Sequence, residues 1–171
     1  MGTTSRDHKE QTDLLEGVEK LWDLGFVVVA AAGNQGPGAG TVTAPGSSRK
    51  IITVGSSDLL TGRTAISGRG PTFECICKPD LVAPGVDITS CAVGGGYESR
   101  SGTSMAAPFV SGSCALLMQW GILQNNDPFL YGEKMKAYLI RGARQLPFSV
   151  SYPNPQSGYG ALCVSSSLTF V

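Results

Sequence analysis

A serine, Ser104, stands in the run R-S-G-T-S-M-A-A-P-F (100–109), between a turn of small residues and a stretch that reads as a helix. A hydroxyl so placed could be a nucleophile, provided that a base takes its proton. The chain holds one histidine, His8, in the polar stretch S-R-D-H-K-E (5–10). Base and nucleophile must come within about 3.2 Å of each other. His8 instead reads as an exposed or first-turn residue. Asp7 and Asp13 are its neighbours in sequence only, and Asp80 and Asp87 read as turn or strand-end residues. The five cysteines form no C-x-x-C pair, so a structural zinc site is not expected. They read as reduced, small apolar fillers, a weak sign of a reducing compartment. G-G-G-Y-E-S (94–99) lacks the Gly-Lys-Ser/Thr ending of a phosphate-binding loop and is expected to be an irregular loop. A lipase-type G-x-S-x-G elbow is a weak fit, because Ala106 replaces its last glycine and no histidine follows Ser104.

The elements that would carry Ser104 alternate between helices and buried strands. Residues 7–24 predict an amphipathic helix, capped by Asp7 and Glu10, with Leu14, Leu15, Val18, Leu21 and Trp22 on one apolar face and Gly25 at its end. F-V-V-V-A-A-A (26–32) reads as a strand covered on both faces, followed by the loop G-N-Q-G-P-G-A-G. K-I-I-T-V-G-S (50–56) and D-L-V-A-P-G (80–85), the latter running on towards Ile88, read as two more. From Thr103 or Ser104 to about Leu123 the pattern predicts a helix buried all round, with Pro108 in its opening turns. A further helix is expected from Asp127-Pro128, including Met135, Tyr138, Leu139 and Ile140. Residues 153–164 are expected to form a turn and a short extended segment. The fold class is therefore α/β with a largely parallel sheet, and the loop after Ala32 lies where such sheets bind ligands.

The totals agree with a globular fold. A chain of 171 residues suits one domain, and 42% hydrophobic against 15% charged residues suits a well-buried core. Thirteen basic and 13 acidic residues give a formal charge of +0, which argues against nucleic-acid or membrane-surface binding by bulk charge. No uninterrupted apolar run reaches the length of a membrane span, and no signal peptide is recognisable.

Several motifs in order resemble the subtilisin-like serine peptidases: V-V-V-A-A-A-G-N-Q-G (27–36), I-T-V-G-S-S-D (52–58), S-G-R-G-P (67–71), D-L-V-A-P-G (80–85), G-T-S-M-A-A-P (102–108) and G-Y-G-A-L-C-V (158–164). The resemblance implies a three-layer sandwich and assigns Ser104 as nucleophile. Its backbone N–H and the Asn34 side-chain amide become the oxyanion donors, a role that suits a serine at the positive end of a helix. Taken singly, such a serine is ordinarily a cap and such an asparagine a turn residue. The family's arrangement also implies that Ala31, Ala32, Gly33 and Gln35 border a substrate pocket. Gly2, in Met1-Gly2-Thr3, falls on its facing wall, and Gly102 leaves room for a substrate chain. Phe109, where many members have histidine, is expected to alter packing rather than chemistry.

The family's aspartate and histidine motifs precede all of these and do not occur in this chain. The expectation is a single partial domain, residues 1–171, forming the C-terminal portion of a catalytic domain. It would carry nucleophile and oxyanion hole and be inactive by itself. The complete protein would be a serine endopeptidase acting on polypeptides; a non-catalytic peptidase-like binding or regulatory module is the alternative. No cofactor is required, and calcium, common in the family, has no ligands that can be placed here. Strands missing beside residues 26–32 would bare a sheet edge, through which the chain would self-associate or pair with a complementing N-terminal segment.

Overall fold

A computed structural model describes residues 8–58, 61, 66–147 and 151–169, with side chains from residue 11 onward. Gly2 and Asp7 lie outside the described residues. Helix α1 (His8–Asp23) ends at Gly25, whose φ of 92° suits glycine and whose N–H donates to the Trp22 carbonyl. Trp22 anchors it in the core at 5% exposure, whereas Leu21 is 44% exposed and does not join the buried face.

The strands β1 (Val29–Ala31), β2 (Ile52–Ser57) and β3 (Leu81–Pro84) form a parallel sheet in the order β1-β2-β3. Val29 pairs with Ile52 and Val54 with Leu81. Central β2 is buried at every position, as a parallel strand covered on both faces should be. β1 is shorter and less covered than the apolar run 26–32 suggests: Phe26 is exposed and Val27, Val28 and Val29 are only half-buried. The cause is position, since β1 pairs only with β2 among the described residues and its outer edge is open.

Helix α2 (Thr103–Met118) runs into a π-helical turn (Gln119–Leu123) and lies across all three strands. It is not buried all round. Ala106, Val110, Cys114 and Leu117 form one buried stripe, while Phe109, Leu116 and Leu123 on other sides are exposed. Apolar residues on both faces leave no helical periodicity by which the sequence could separate them. Thr103–Leu123 is long and apolar enough, by length and composition, to cross a membrane, and here it is a core helix packed on a sheet. Pro108 sits inside this helix rather than at its first position, so the Ser104 carbonyl lacks the usual helical N–H partner.

Other expectations change as well. The third strand stops at Pro84, and Ile88 opens a separate antiparallel hairpin, β4 (Ile88–Cys91) with β5 (Tyr97–Arg100). Asp87, at φ 52°, makes that break, and Gly94, Gly95 and Gly96 close the hairpin at positive φ; Tyr97, Glu98 and Ser99 thus belong to a strand. Helix α3 spans Gly132–Gly142, and Asp127 is no cap. Its carboxylate instead accepts bonds from Lys134 and from the Tyr138 hydroxyl at 2.9 Å. A short helix, α4 (Val164–Leu168), packs against α3 just beyond the segment 153–164. All five cysteines are free, but only Cys114 is a buried filler; Cys75 and Cys91 are exposed.

A charged cluster lies under β2, and no sequence pattern announced it. Lys78 is 1% exposed and donates to Asp80 Oδ2 at 2.7 Å and to the Ile51 carbonyl at 3.0 Å. Lys136 reaches Asp80 Oδ1 at 3.0 Å. Burial, with Lys136 adding to it, outweighs the pull of Asp80 and lowers the Lys78 ammonium to about 8 from 10.5. The unfolded chain therefore holds this proton more tightly than the folded one. Folding stability should rise with pH between about 8 and 10.5, by at most about 3 kcal/mol, and level off below 8. Urea unfolding of the wild type and of Lys78→Met across that range checks this: the variant should lack the rise.

Candidate active site

Two chain reversals bring Asn34 and Ser104 together. At the end of β1, Gly33 turns the backbone at φ 95° and its N–H donates to Thr103 Oγ1 at 3.2 Å. Asn34 Oδ1 accepts from the Thr103 N–H at 2.9 Å and from its hydroxyl at 3.0 Å. Since a backbone N–H can only donate, these bonds fix which end of the amide is oxygen. The Nδ2 group is the donor left for a ligand.

Gly102 precedes α2 at φ 150° and is held by its N–H to the Gly85 carbonyl at 2.7 Å. A Cβ on Gly102 would come within 3.1 Å of Asn34 Nδ2. The Asn34 amide would have to give by a few tenths of an ångström to admit that Cβ, which adds a local reason for glycine to the backbone's own at this φ. Ser104 follows in the first turn of α2, exposed, where helix N–H groups have no intrahelical carbonyl to bond.

A half-open cavity of about 150 Å³ adjoins these groups, lined by Ala31, Gly33, Asn34, Gln35, Thr43, Thr103 and Ser104. Ala32 lies behind this wall, wholly buried; its N–H bonds the Val54 carbonyl and its own carbonyl holds the Thr43 N–H. Thr103 and Thr43 are the residues that sequence reasoning missed. Thr103 stands inside the serine motif, where its neighbour drew the attention, and Thr43 returns from a loop that carries no motif of its own. A second cavity, about 350 Å³, is lined by Ile88, Thr89, Ser90, Ser104, Met105, Pro108 and Phe109. Phe109 is 43% exposed there and faces open space rather than core.

Among the described residues neither cavity is lined by an ionisable side chain. Asp80 is committed to the buried lysine cluster, and Asp87 sits at the turn before β4, where its N–H bonds Ser101 Oγ. His8 opens α1. Among the described residues no group of three His, Cys, Asp or Glu side chains could hold a metal ion. The arrangement sets the Ser104 hydroxyl and the Asn34 side chain, whose Oδ1 is held by Thr103, on the wall of one cavity.

Known proteins share this arrangement of sequence and fold. The model of the subtilase family matches residues 2–161. The serine protease AprX of Bacillus subtilis is 38% identical over 157 residues, covering 80% of this chain and 34% of that protein. A thermophilic serine proteinase of Bacillus sp. strain AK1 is 43% identical over 110 residues, 64% of this chain and 25% of that protein. Among solved structures, the Clostridium perfringens CspB protease superposes with a TM-score of 0.74 at 48% identity, covering 79% of this chain and 30% of that one. The chain thus spans about a third or less of the length of these relatives. With the family model matching most of the chain and the same α/β fold in these proteases, the chain belongs to the subtilase family.

Proposed function

We propose that this chain supplies the nucleophile, the oxyanion donors and one wall of the substrate cleft of a serine endopeptidase. The observation that carries this reading is the clamp between Asn34 and Thr103, which aligns an asparagine amide with the first turn of the helix bearing Ser104. A decayed site has no need to keep that alignment. In the reaction, a base takes the Ser104 proton as Oγ attacks the scissile carbonyl, and the resulting oxyanion is held by the Ser104 N–H and Asn34 Nδ2. The amine leaves with a proton from the same base, and water then releases the acyl group. In this reading the base and the carboxylate that orients it lie outside the described residues that line the two cavities, none of which is ionisable.

Labelling with a fluorophosphonate probe, read by intact mass, tests this proposal. A stoichiometric adduct on Ser104 is expected when the chain is part of a complete protease, and none in Ser104→Ala. The 171-residue chain by itself should stay unlabelled. An adduct on the chain by itself would overturn the external base. No adduct in the complete protease would overturn the catalytic reading in favour of a peptidase-like binding module.

A further inference from the structure

Asn34 is held through its backbone as well as through its side chain. The Gly33 carbonyl before it accepts the Gly68 N–H at 2.7 Å, and the Gly36 N–H beyond it donates to the Ile66 carbonyl at 3.0 Å. Residues 66–68 therefore bridge the loop that carries Asn34 and Gln35. The two segments meet backbone to backbone, with a glycine on each side. A Cβ on Gly36 would run into the Ser67 carbonyl, and one on Gly68 into the Ala32 carbonyl. Neither glycine has a positive φ, so it is the close approach that calls for glycine here.

Residues 66–68 are in turn fixed to the middle of the sheet. Ser67 is wholly buried, and its Oγ accepts the Ser56 N–H of β2 at 3.0 Å. Just beyond, the Arg69 N–H donates to Thr41 Oγ1 at 3.0 Å and its carbonyl accepts the Thr41 N–H at 2.8 Å. A chain of contacts thus runs from the central strand through Ser67 and Gly68 to Gly33 and Asn34. Neither Ser67 nor Gly68 lines either cavity beside Ser104. Thr103 fixes which way the Asn34 amide faces, but the backbone under Asn34 takes its place from residues 66–68. That place matters, because a donor must come within about 2.7–3.1 Å of the oxyanion. A misplacement of about 1 Å can cost about 10²-fold in rate. We propose that Gly68, with the Ser67 hydroxyl behind it, is a positioning residue for the reaction. The pair sets the Asn34 backbone against the first turn of α2, so that Nδ2 reaches the developing charge. This rests on the peptidase reading above.

The test measures kcat and KM of the complete protease on one peptide substrate, for Gly68→Ala and Ser67→Ala, each with and without Asn34→Ala. Gly68→Ala should lower kcat about 10–10²-fold and leave KM within about threefold, as displacement of a transition-state donor would. Ser67→Ala removes one acceptor and adds no bulk, and should lower kcat about threefold in the same sense. It carries the test if circular dichroism shows Gly68→Ala to be unfolded. In the Asn34→Ala background neither change should lower kcat by more than about twofold, since the amide that they place is gone. A merely structural role predicts instead that the losses multiply. Multiplying losses, a rise in KM at constant kcat, or unchanged kcat in the folded variants would each overturn the positioning role. No turnover by the wild-type complete protein would overturn the peptidase reading, and this role with it.

Discussion

Asp80→Ala should be the most destabilising single change in the chain, by about 3–5 kcal/mol, the usual cost of removing one partner from a buried ion pair. Asp80 is 5% exposed, and its carboxylate serves three donors: the Thr53 N–H at 2.7 Å, Lys78 Nζ at 2.7 Å and Lys136 Nζ at 3.0 Å. Without it, Lys78 keeps only the Ile51 carbonyl within a buried site, and the Thr53 N–H loses its acceptor at the start of the central strand. Lys136 fares better, because the carbonyls of Arg49, Lys50 and Ile51 also receive it. A domain at the low end of the usual range of about 5–15 kcal/mol would be brought close to unfolding. Urea denaturation gives the number, and the double variant Asp80→Ala with Lys78→Met identifies the cause. Removing the stranded ammonium should recover more than half of the loss. If the double variant is as unstable as the single one, the damage comes from the Thr53 N–H and the strand end, and the charge argument fails.

Asn34→Ala should lower kcat of the complete protease about 10²–10³-fold and change KM little. That magnitude is the one measured for loss of the corresponding asparagine donor in subtilisin, the namesake of the family. It is carried over by analogy, and the geometry supplies the reason for expecting it: Oδ1 is pinned by Thr103, so that Nδ2 can serve the developing charge. An oxyanion donor acts on the transition state more than on the bound substrate, which places the loss in kcat. Thr103→Val keeps the backbone bond to Asn34 and loses the hydroxyl one, and should cost less than Asn34→Ala. A rise in KM at constant kcat would contradict the oxyanion role and make Asn34 a residue of ground-state binding.

The course of the chain through its sheet was legible in the sequence wherever a run is apolar and bounded by turns. β2 and β3 are where the apolar runs 50–56 and 80–85 suggest, since a strand covered on both faces needs an unbroken run of small and branched residues. The run 26–32 has the same composition and yet yields an edge strand, because burial belongs to the neighbours of a strand and not to its residues. The hairpin of β4 and β5 escaped notice for a related reason: its side chains are mostly exposed and alternate with nothing.

Ser104, Asn34, Gly33 and Gly102 could be picked out by sequence alone, because each stands in a short motif whose residues are dictated by local backbone geometry and by the group they present. What the sequence determined is therefore the family, the order of the parallel strands' segments and the residues proposed for the site. Only the tertiary structure decided the rest. It shows that Thr103 clamps Asn34 and that Thr43 lines the cavity beside them. It also pairs Lys78 and Lys136 with a single carboxylate, although Lys136 stands 56 residues beyond Asp80. Each of these is a contact between segments far apart in the chain, made by residue types common in any loop or helix. Local propensity says nothing of such contacts; the packing of α2 and α3 against the sheet creates them.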